Sequence, residues 1–311
     1  MASSPRIVTA TPNPALDLAT ATERIMPDHK MRCRGGRVDP GGGGVNVSRV
    51  LHRWGASTLA VHTLGGVTGE AYARALAQEA VPARAVPIRG DTRQNVTVRE
   101  TATGEHYRFV LEGPALSADE WEAFVAATLA ELRPGDWLVA SGSLPPGVPD
   151  TGYAELLAAA RDLGARCAVD AAGPVLAAAV ARGVDLAKPS RRELCELVGL
   201  PDSSDDDRLA DAAQELIRRR PVGVLVVSLG ARGAMLVDRT GVRRAPAIPV
   251  TADSPVGAGD SLLAGVVLRL AQGRGADEAL RAGLAAAAAT VASAGTRLGT
   301  REEIERFEAA G

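Results

Sequence analysis

For most of its length the chain repeats one two-beat pattern, a short apolar run followed by a longer stretch in which apolar residues recur at three- and four-residue intervals. Runs at 7–10, 58–63, 137–140, 165–169, 184–187 and 223–228 read as strands. The stretches 45–54, 70–79, 153–163, 177–181, 191–198, 208–219, 258–271 and 277–294 read as helices. Strands apolar on both sides, alternating with helices, are satisfied by a mainly parallel sheet covered on both faces, an α/β fold. A hairpin through 234–237 and 242–244 interrupts the series only locally.

Two inserts break the rhythm. Residues 16–39 and 91–112 alternate polar and apolar side chains, as in TRQNVTVRETATGEHYRFV with its Thr103-Gly104 turn. They predict a small antiparallel sheet projecting from the core as a lid over the carboxyl ends of the parallel strands, where ligands bind in open α/β sheets. No internal repeat or linker divides the 311 residues, so a single domain spanning 1–311 and carrying both inserts is expected.

Charge and composition narrow the partner to a small molecule. The net charge is -2 and charges of both signs are interspersed, which points away from nucleic acid and from an anionic membrane surface. No basic segment leads into an apolar leader and no apolar run is long enough to span a bilayer, so a cytoplasmic protein is expected. Cys33, Cys167 and Cys195 are far apart, indicating neither a disulfide framework nor a zinc site. His29, His52, His62 and His106 lack metal-ligand spacing and read as structural or surface residues. Of 35 Lys and Arg residues only Lys30 and Lys188 are lysines, either compact point charges kept for a site or two chance survivors of an arginine-rich surface.

Two glycine-rich segments carry the chemistry. In DPGGGGVNVSRVLHRWG, glycines at 41–44 precede a helix with Asn46 near its first turn. The segment is either a substrate-binding turn, its amides and Asn46 meeting sugar hydroxyls, or a turn that merely precedes a helix. It fits neither the dinucleotide fingerprint nor the P-loop, which removes an NAD-dependent oxidoreductase from contention. In DSPVGAGDS, Gly257, Ala258 and Gly259 turn N–H groups toward an anion at a helix start, and Asp260 follows in the first turn. That carboxylate is either an ordinary complement to the helix dipole or a base held beside a bound phosphate.

In this order, the two motifs resemble the signatures of the ribokinase/PfkB family of carbohydrate kinases, and the resemblance extends over nearly the whole chain. It implies a ribokinase-like three-layer α/β/α core with a small β-sheet lid, and ATP-dependent phosphorylation of a sugar hydroxyl. Asp260 would then be the general base, with the amides of Gly257, Ala258 and Gly259 as the anion hole. TPNPALD, GGGGVNVSRVL, TRQNVTV, SGSLPPGV and AGTRLGT are similar to the branch of the family that converts fructose 6-phosphate to fructose 1,6-bisphosphate. Gly43 and Gln94 favour that branch over those acting on fructose 1-phosphate or tagatose 6-phosphate, which typically read GGKG at the first motif.

The resemblance also distributes roles. Asp17, Gly42, Gly43 and Asn46 would orient the sugar, and Lys30, Arg32, Arg93 and Ser141 would hold the phosphate it already carries. Lys188, Ser190, Ser228, Gly230 and Gly233 would line the ATP site. Mg²⁺ would bridge the ATP phosphates with Glu193 acting through water, although Ser190 replaces the family's Asn and makes a plain Ser-x-x-Glu capping box the second reading. A monovalent cation, K⁺, would sit among Ser254, Val256, Thr290, Ser293, Gly295 and Arg297, partly on carbonyl oxygens. Pro255 stands where the family often has Thr. A homodimer through the lid follows from its uncovered sheet. The reading from another class is a noncatalytic sugar- or nucleotide-binding module in which Asp260 only caps a helix.

Overall fold

Buried residues of one strand face opposite ways: in Trp137–Ser141, Trp137 and Val139 join one apolar cluster while Leu138 and Ala140 join the other. This is the signature of a sheet covered on both sides, and it recurs across the core. The computed structural model describes residues 5–251, 254–293 and 295–310. In chain order the elements begin with β1 (Ile7–Thr11), β2 (Ala15–Thr22), β3 (Arg34–Gly41), α1 (Gly43–Arg53), β4 (Thr58–Leu64), α2 (Gly66–Gln78), β5 (Ala83–Pro87), β6 (Arg93–Glu100), β7 (His106–Val110) and α3 (Ala118–Leu129). They continue with β8 (Trp137–Ser141), α4 (Gly152–Asp162), β9 (Arg166–Asp170), α5 (Gly173–Arg182), β10 (Val184–Ala187), α6 (Arg191–Val198) and α7 (Asp206–Arg219). Last come β11 (Val222–Ser228), β12 (Ala234–Asp238), β13 (Gly241–Ala245), α8 (Ala258–Ala271), α9 (Ala276–Val291) and α10 (Arg301–Ala310).

The core is a nine-stranded sheet in the order β13-β12-β11-β10-β9-β8-β1-β4-β5, parallel from β11 to β5, with β12 and β13 added antiparallel as the expected hairpin. Helices α3 to α7 bury one face of it through residues such as Phe124, Leu156, Leu176, Leu194 and Ile217. Helices α1, α8, α9 and α10 cover the other through Leu51, Leu263, Leu280 and Ile304. The result is a three-layer α/β/α arrangement. Among the described residues no helix is long and apolar enough to cross a membrane.

Strands β3-β2-β6-β7 form a second sheet, built from the two expected inserts. Here one expectation is corrected: the sheet is mixed, because β2 and β6 pair in parallel. Both leave the core from the same side, β2 after β1 and β6 after β5, and so point the same way. Helices α3 and α10 and strand β5 are additions to the periodic reading. Both helices open on reciprocal caps, Ser117 with Glu120 and Thr300 with Glu303, rather than on strong apolar stripes. The helix expected over 277–294 ends at Val291, and its last expected residue, Ala294, lies outside the described residues.

Candidate active site

Helix α8 starts at Gly257, whose φ of 79° is left-handed and where a Cβ would lie 2.6 Å from Leu298 Cδ2. The next residues, Ala258, Gly259 and Asp260, form the helix's first turn and direct its positive end outward. Asp260 is half-buried, and its Oδ2 accepts a 2.8 Å hydrogen bond from Asn46 Nδ2 of α1. Burial, reinforced by the nearby Asp170 carboxylate, pushes its pKa up to about 7, against the opposing pull of the Asn46 bond and of Lys188. A carboxyl so tuned exchanges its proton near neutrality, as a general base must. Asp253, which opens the motif in the sequence, lies outside the described residues.

A cleft of about 600 Å³ of mixed polar and apolar lining runs from Asn13, Arg93 and Leu111 at the accessory sheet to Gly142, Ser143 and Ala171 at the ends of β8 and β9. Arg93, at the start of β6, donates to the Leu111 and Asn13 carbonyl oxygens at 3.1 and 3.0 Å, which aims its guanidinium across the cleft floor. Asp17 of β2 accepts from Asn95 Nδ2 at 2.9 Å, and burial raises its pKa. Gly42 caps α1. Gly43 packs so closely that a Cβ would lie 2.3 Å from Ser141 Oγ and 3.0 Å from the Gly142 nitrogen. The glycine run thus lets α1 approach the end of β8, which carries Asn46 to Asp260. Lys30 and Arg32 are not among the groups that touch this cluster; both lie exposed in the connection between β2 and β3.

A second cleft of about 620 Å³ reaches from Ser228, Gly230 and Gly233 to Pro255, Ala258 and Gly259. Its lining is mostly apolar, including Ile248, Val250, Leu262 and Leu284, which suits a purine base. Lys188, buried just after β10, places Nζ 3.0 Å from Asp170 Oδ1, and a Cβ at Gly259 would lie 3.5 Å from the same nitrogen. Burial works against its charge, but Asp170 outweighs it and keeps the ammonium protonated. A cation is therefore fixed against the amides of the α8 start. Ser190 and Glu193 form a reciprocal cap on α6, Ser190 N–H donating to Glu193 Oε2 at 2.7 Å, and Ser190 bridges Ser228 in register.

The expected cation-binding segments do adjoin one another: Ser254 N–H donates to Val291 O at 3.4 Å. Their hydroxyls also bond within the fold. Thr290 Oγ1 is bonded to Ser261 Oγ at 2.7 Å and accepts from Gly299 N–H, Ser293 Oγ donates to Ala289 O, and Ser254 Oγ accepts from Val256 N–H. Gly295 (φ 63°) and exposed Arg297 follow on the chain after these segments. Among the described residues no group of three or more His, Cys, Asp or Glu could hold a metal by itself. His62 is buried against Tyr72, and burial lowers its pKa to about 4, so it stays neutral inside the fold.

Motif reading passes over two charged residues, Asp170 and Arg49. Asp170 ends the apolar strand β9, and a carboxylate at the carboxyl end of a core strand is itself the signal. Arg49 follows Asn46 by three residues on α1, which places both on one helix face.

The model of the pfkB family carbohydrate kinases matches residues 13–303. The chain is 41% identical over 305 residues to the ATP-dependent 6-phosphofructokinase isozyme 2 of Escherichia coli (strain K12), covering 98% of each. The crystal structure of phosphofructokinase-2 from Escherichia coli in complex with fructose-6-phosphate superposes with a TM-score of 0.92 at 40% identity, over 98% of each chain. That of the same enzyme in complex with potassium gives 0.93 at 40% identity, again over 98% of each.

Proposed function

The chain belongs to the pfkB family of carbohydrate kinases, and from that premise we propose that it transfers the γ-phosphoryl group of ATP to fructose 6-phosphate, giving fructose 1,6-bisphosphate and ADP. The observation that carries the mechanism is Asp260, tuned to about 7 and standing on the same helical turn as the amides that face the nucleotide cleft. Phosphoryl transfer needs in-line placement, neutralisation of charge on the moving group and a base for the attacking hydroxyl. The α8 amides and Lys188 receive the phosphoryl charge. Asp260 takes the proton of the sugar hydroxyl, and Asp17, Asn46 and the turn at Gly42 and Gly43 orient that hydroxyl toward it. Arg93 and Ser141 hold the resident phosphate, joined by Lys30 and Arg32 when the accessory sheet closes as a lid.

Mg²⁺, when bound, would neutralise charge on the ATP phosphates, with Glu193, held in its cap through Oε2, acting on it through water. K⁺ would sit among Ser254, Val256, Thr290, Ser293, Gly295 and Arg297; the potassium complex of the Escherichia coli enzyme supports the use of K⁺. The accessory sheet carries an apolar row, Val38, Leu18, Val96 and Phe109, in register across its four strands. Val38 and Phe109 are 50% and 53% exposed, so a second copy covering this row would complete a homodimer through the lid. Light scattering that finds only monomer would remove the dimer. The three thiols, none paired, suit the cytoplasm.

The reading is tested by measuring ADP release with ATP and Mg²⁺ over a panel of fructose 6-phosphate, fructose 1-phosphate, tagatose 6-phosphate, ribose and a nucleoside. Fructose 6-phosphate should give the highest kcat/KM. A response confined to ribose or the nucleoside would discard the phosphosugar assignment.

A further inference from the structure

Arg49 is 1% exposed, the largest fully buried side chain of the fold, and lies on the helix face that carries Asn46. Each of its three side-chain nitrogens is bonded. Nη1 donates to the Pro40 carbonyl oxygen at 2.9 Å and to Asn46 Oδ1 at 3.0 Å, Nε donates to Glu79 Oε2 at 3.0 Å, and Nη2 donates to Glu79 Oε1. Nη2 also lies 3.6 Å from Asp39 Oδ1 of β3. Glu79 and Asp39 account for the charge of Arg49. The bond to Asn46 adds nothing to that pairing, because its acceptor is neutral.

What the bond does is choose between the two faces of the Asn46 carboxamide. A guanidinium only donates, so the atom turned to it has to be the amide oxygen. The NH₂ group then has to face the other way, toward Asp260 Oδ2, which it meets at 2.8 Å. Turned over, the amide would set its NH₂ against a buried cation and an oxygen lone pair against a carboxylate, two repulsions in place of two bonds.

We infer that Arg49 is a positioning residue for phosphoryl transfer: it fixes the facing of the Asn46 carboxamide, which pins Oδ2 of Asp260 and leaves the second carboxylate oxygen for the substrate hydroxyl. This inference rests on Asp260 being the base. The other charged groups acting on Asp260 are Asp170 at the end of β9, Lys188 after β10 and Asp17 of β2. Those around Arg49 are Glu79 after α2, Tyr72 of α2, Asp17 of β2, Asp39 and Arg37 of β3, and Arg53 one turn along α1, itself paired with Glu79 at 2.9 Å. None of these can fix the amide, since only Arg49 and Asp260 are bonded to the Asn46 side chain among the described residues.

The test is a double-mutant cycle of Arg49→Lys and Asn46→Ala, read by kcat, by KM for both substrates and by the acidic limb of the kcat/KM pH profile. Lysine keeps the charge for Glu79, but one nitrogen cannot also reach Pro40 and Asn46. Arg49→Lys should lower kcat by about tenfold or more, the scale of a hydrogen bond to a charged group. It should move the acidic limb up by about one unit while KM for ATP stays put. In the Asn46→Ala background it should add no further shift. An equal loss in both backgrounds, or an unmoved limb, overturns the inference.

If Arg49→Lys fails to fold, Arg49→Met with Glu79→Gln decides. It removes both charges of the pair together and leaves the Asn46 amide without its fixing donor, so the limb should rise as in Arg49→Lys; a limb at the wild-type position overturns the inference. Asp260→Asn separates the two layers. Wild-type turnover in that variant would defeat the base assignment itself, whereas an inactive Asp260→Asn beside normal Arg49 variants would defeat only the role of Arg49.

Discussion

Lys188 and Asp170 face each other across 3.0 Å at the carboxyl ends of neighbouring parallel strands, and Lys188 is only 5% exposed. Removing one member leaves the other charged and buried, which costs more than the intact pair contributes. Lys188→Met should therefore lower stability by roughly 3–5 kcal/mol in urea unfolding, and Lys188→Met combined with Asp170→Asn should recover part of it. A single variant as stable as wild type would mean that Asp170 sheds its charge at little expense.

Asp260→Asn should reduce kcat by about 10²–10⁴, the range of general-base catalysis, while calorimetry still detects ATP and fructose 6-phosphate. This outcome also discriminates the noncatalytic binding module, in which the change would leave ligand binding intact and there would be no turnover to lose.

The pH dependence follows from the same group. Because its carboxyl titrates at about 7, kcat/KM should fall as pH drops through that value, and the limb should vanish from the residual activity of Asp260→Asn. Stability runs the other way. Between the ordinary value of 3.8 and about 7 the folded chain keeps a proton that the unfolded chain has released, so this group's contribution declines as pH rises through that window. The melting temperature of Asp260→Asn should thus gain on wild type between pH 5 and pH 8; a constant gap would place the titration elsewhere.

At Gly43 the space for a side chain is occupied by Ser141 Oγ and the Gly142 nitrogen. Gly43→Ala should push the α1 start away from β8 and raise KM for fructose 6-phosphate more than KM for ATP. Adding Ser141→Ala relieves only the side-chain half of the clash, so the melting temperature lost in Gly43→Ala should be recovered only in part; full recovery of the melting temperature would show that the backbone contact yields freely.

The sequence makes the core legible because strands such as β8 are apolar on both sides and alternate with helices, a combination that a doubly covered parallel sheet satisfies. Strand β5 escapes that logic, since at the sheet edge four of its five residues are exposed and it shows no apolar run. Helix α3 hides for a similar reason, its start marked by the Ser117 and Glu120 cap rather than by a stripe. In the site, Asp260 and Asn46 are legible from their glycine-rich surroundings. Their mutual bond is not, because the two residues are 214 positions apart and meet only through the packing of α1 beside α8. Arg49 is harder still, for an arginine on a helix reads as solvated until its face proves to be interior.

The parallel pairing of β2 with β6 joins residues 78 positions apart, such as Asp17 and Asn95. The accessory sheet is therefore no autonomous hairpin. Its central ladder can zip only after β4, α2 and β5 have carried the chain across the core and returned it to the same edge, so the sheet condenses late during folding. An excised pair of inserts would lack the crossover that sets their register, and the sugar cleft comes into being only once the core beneath it is complete.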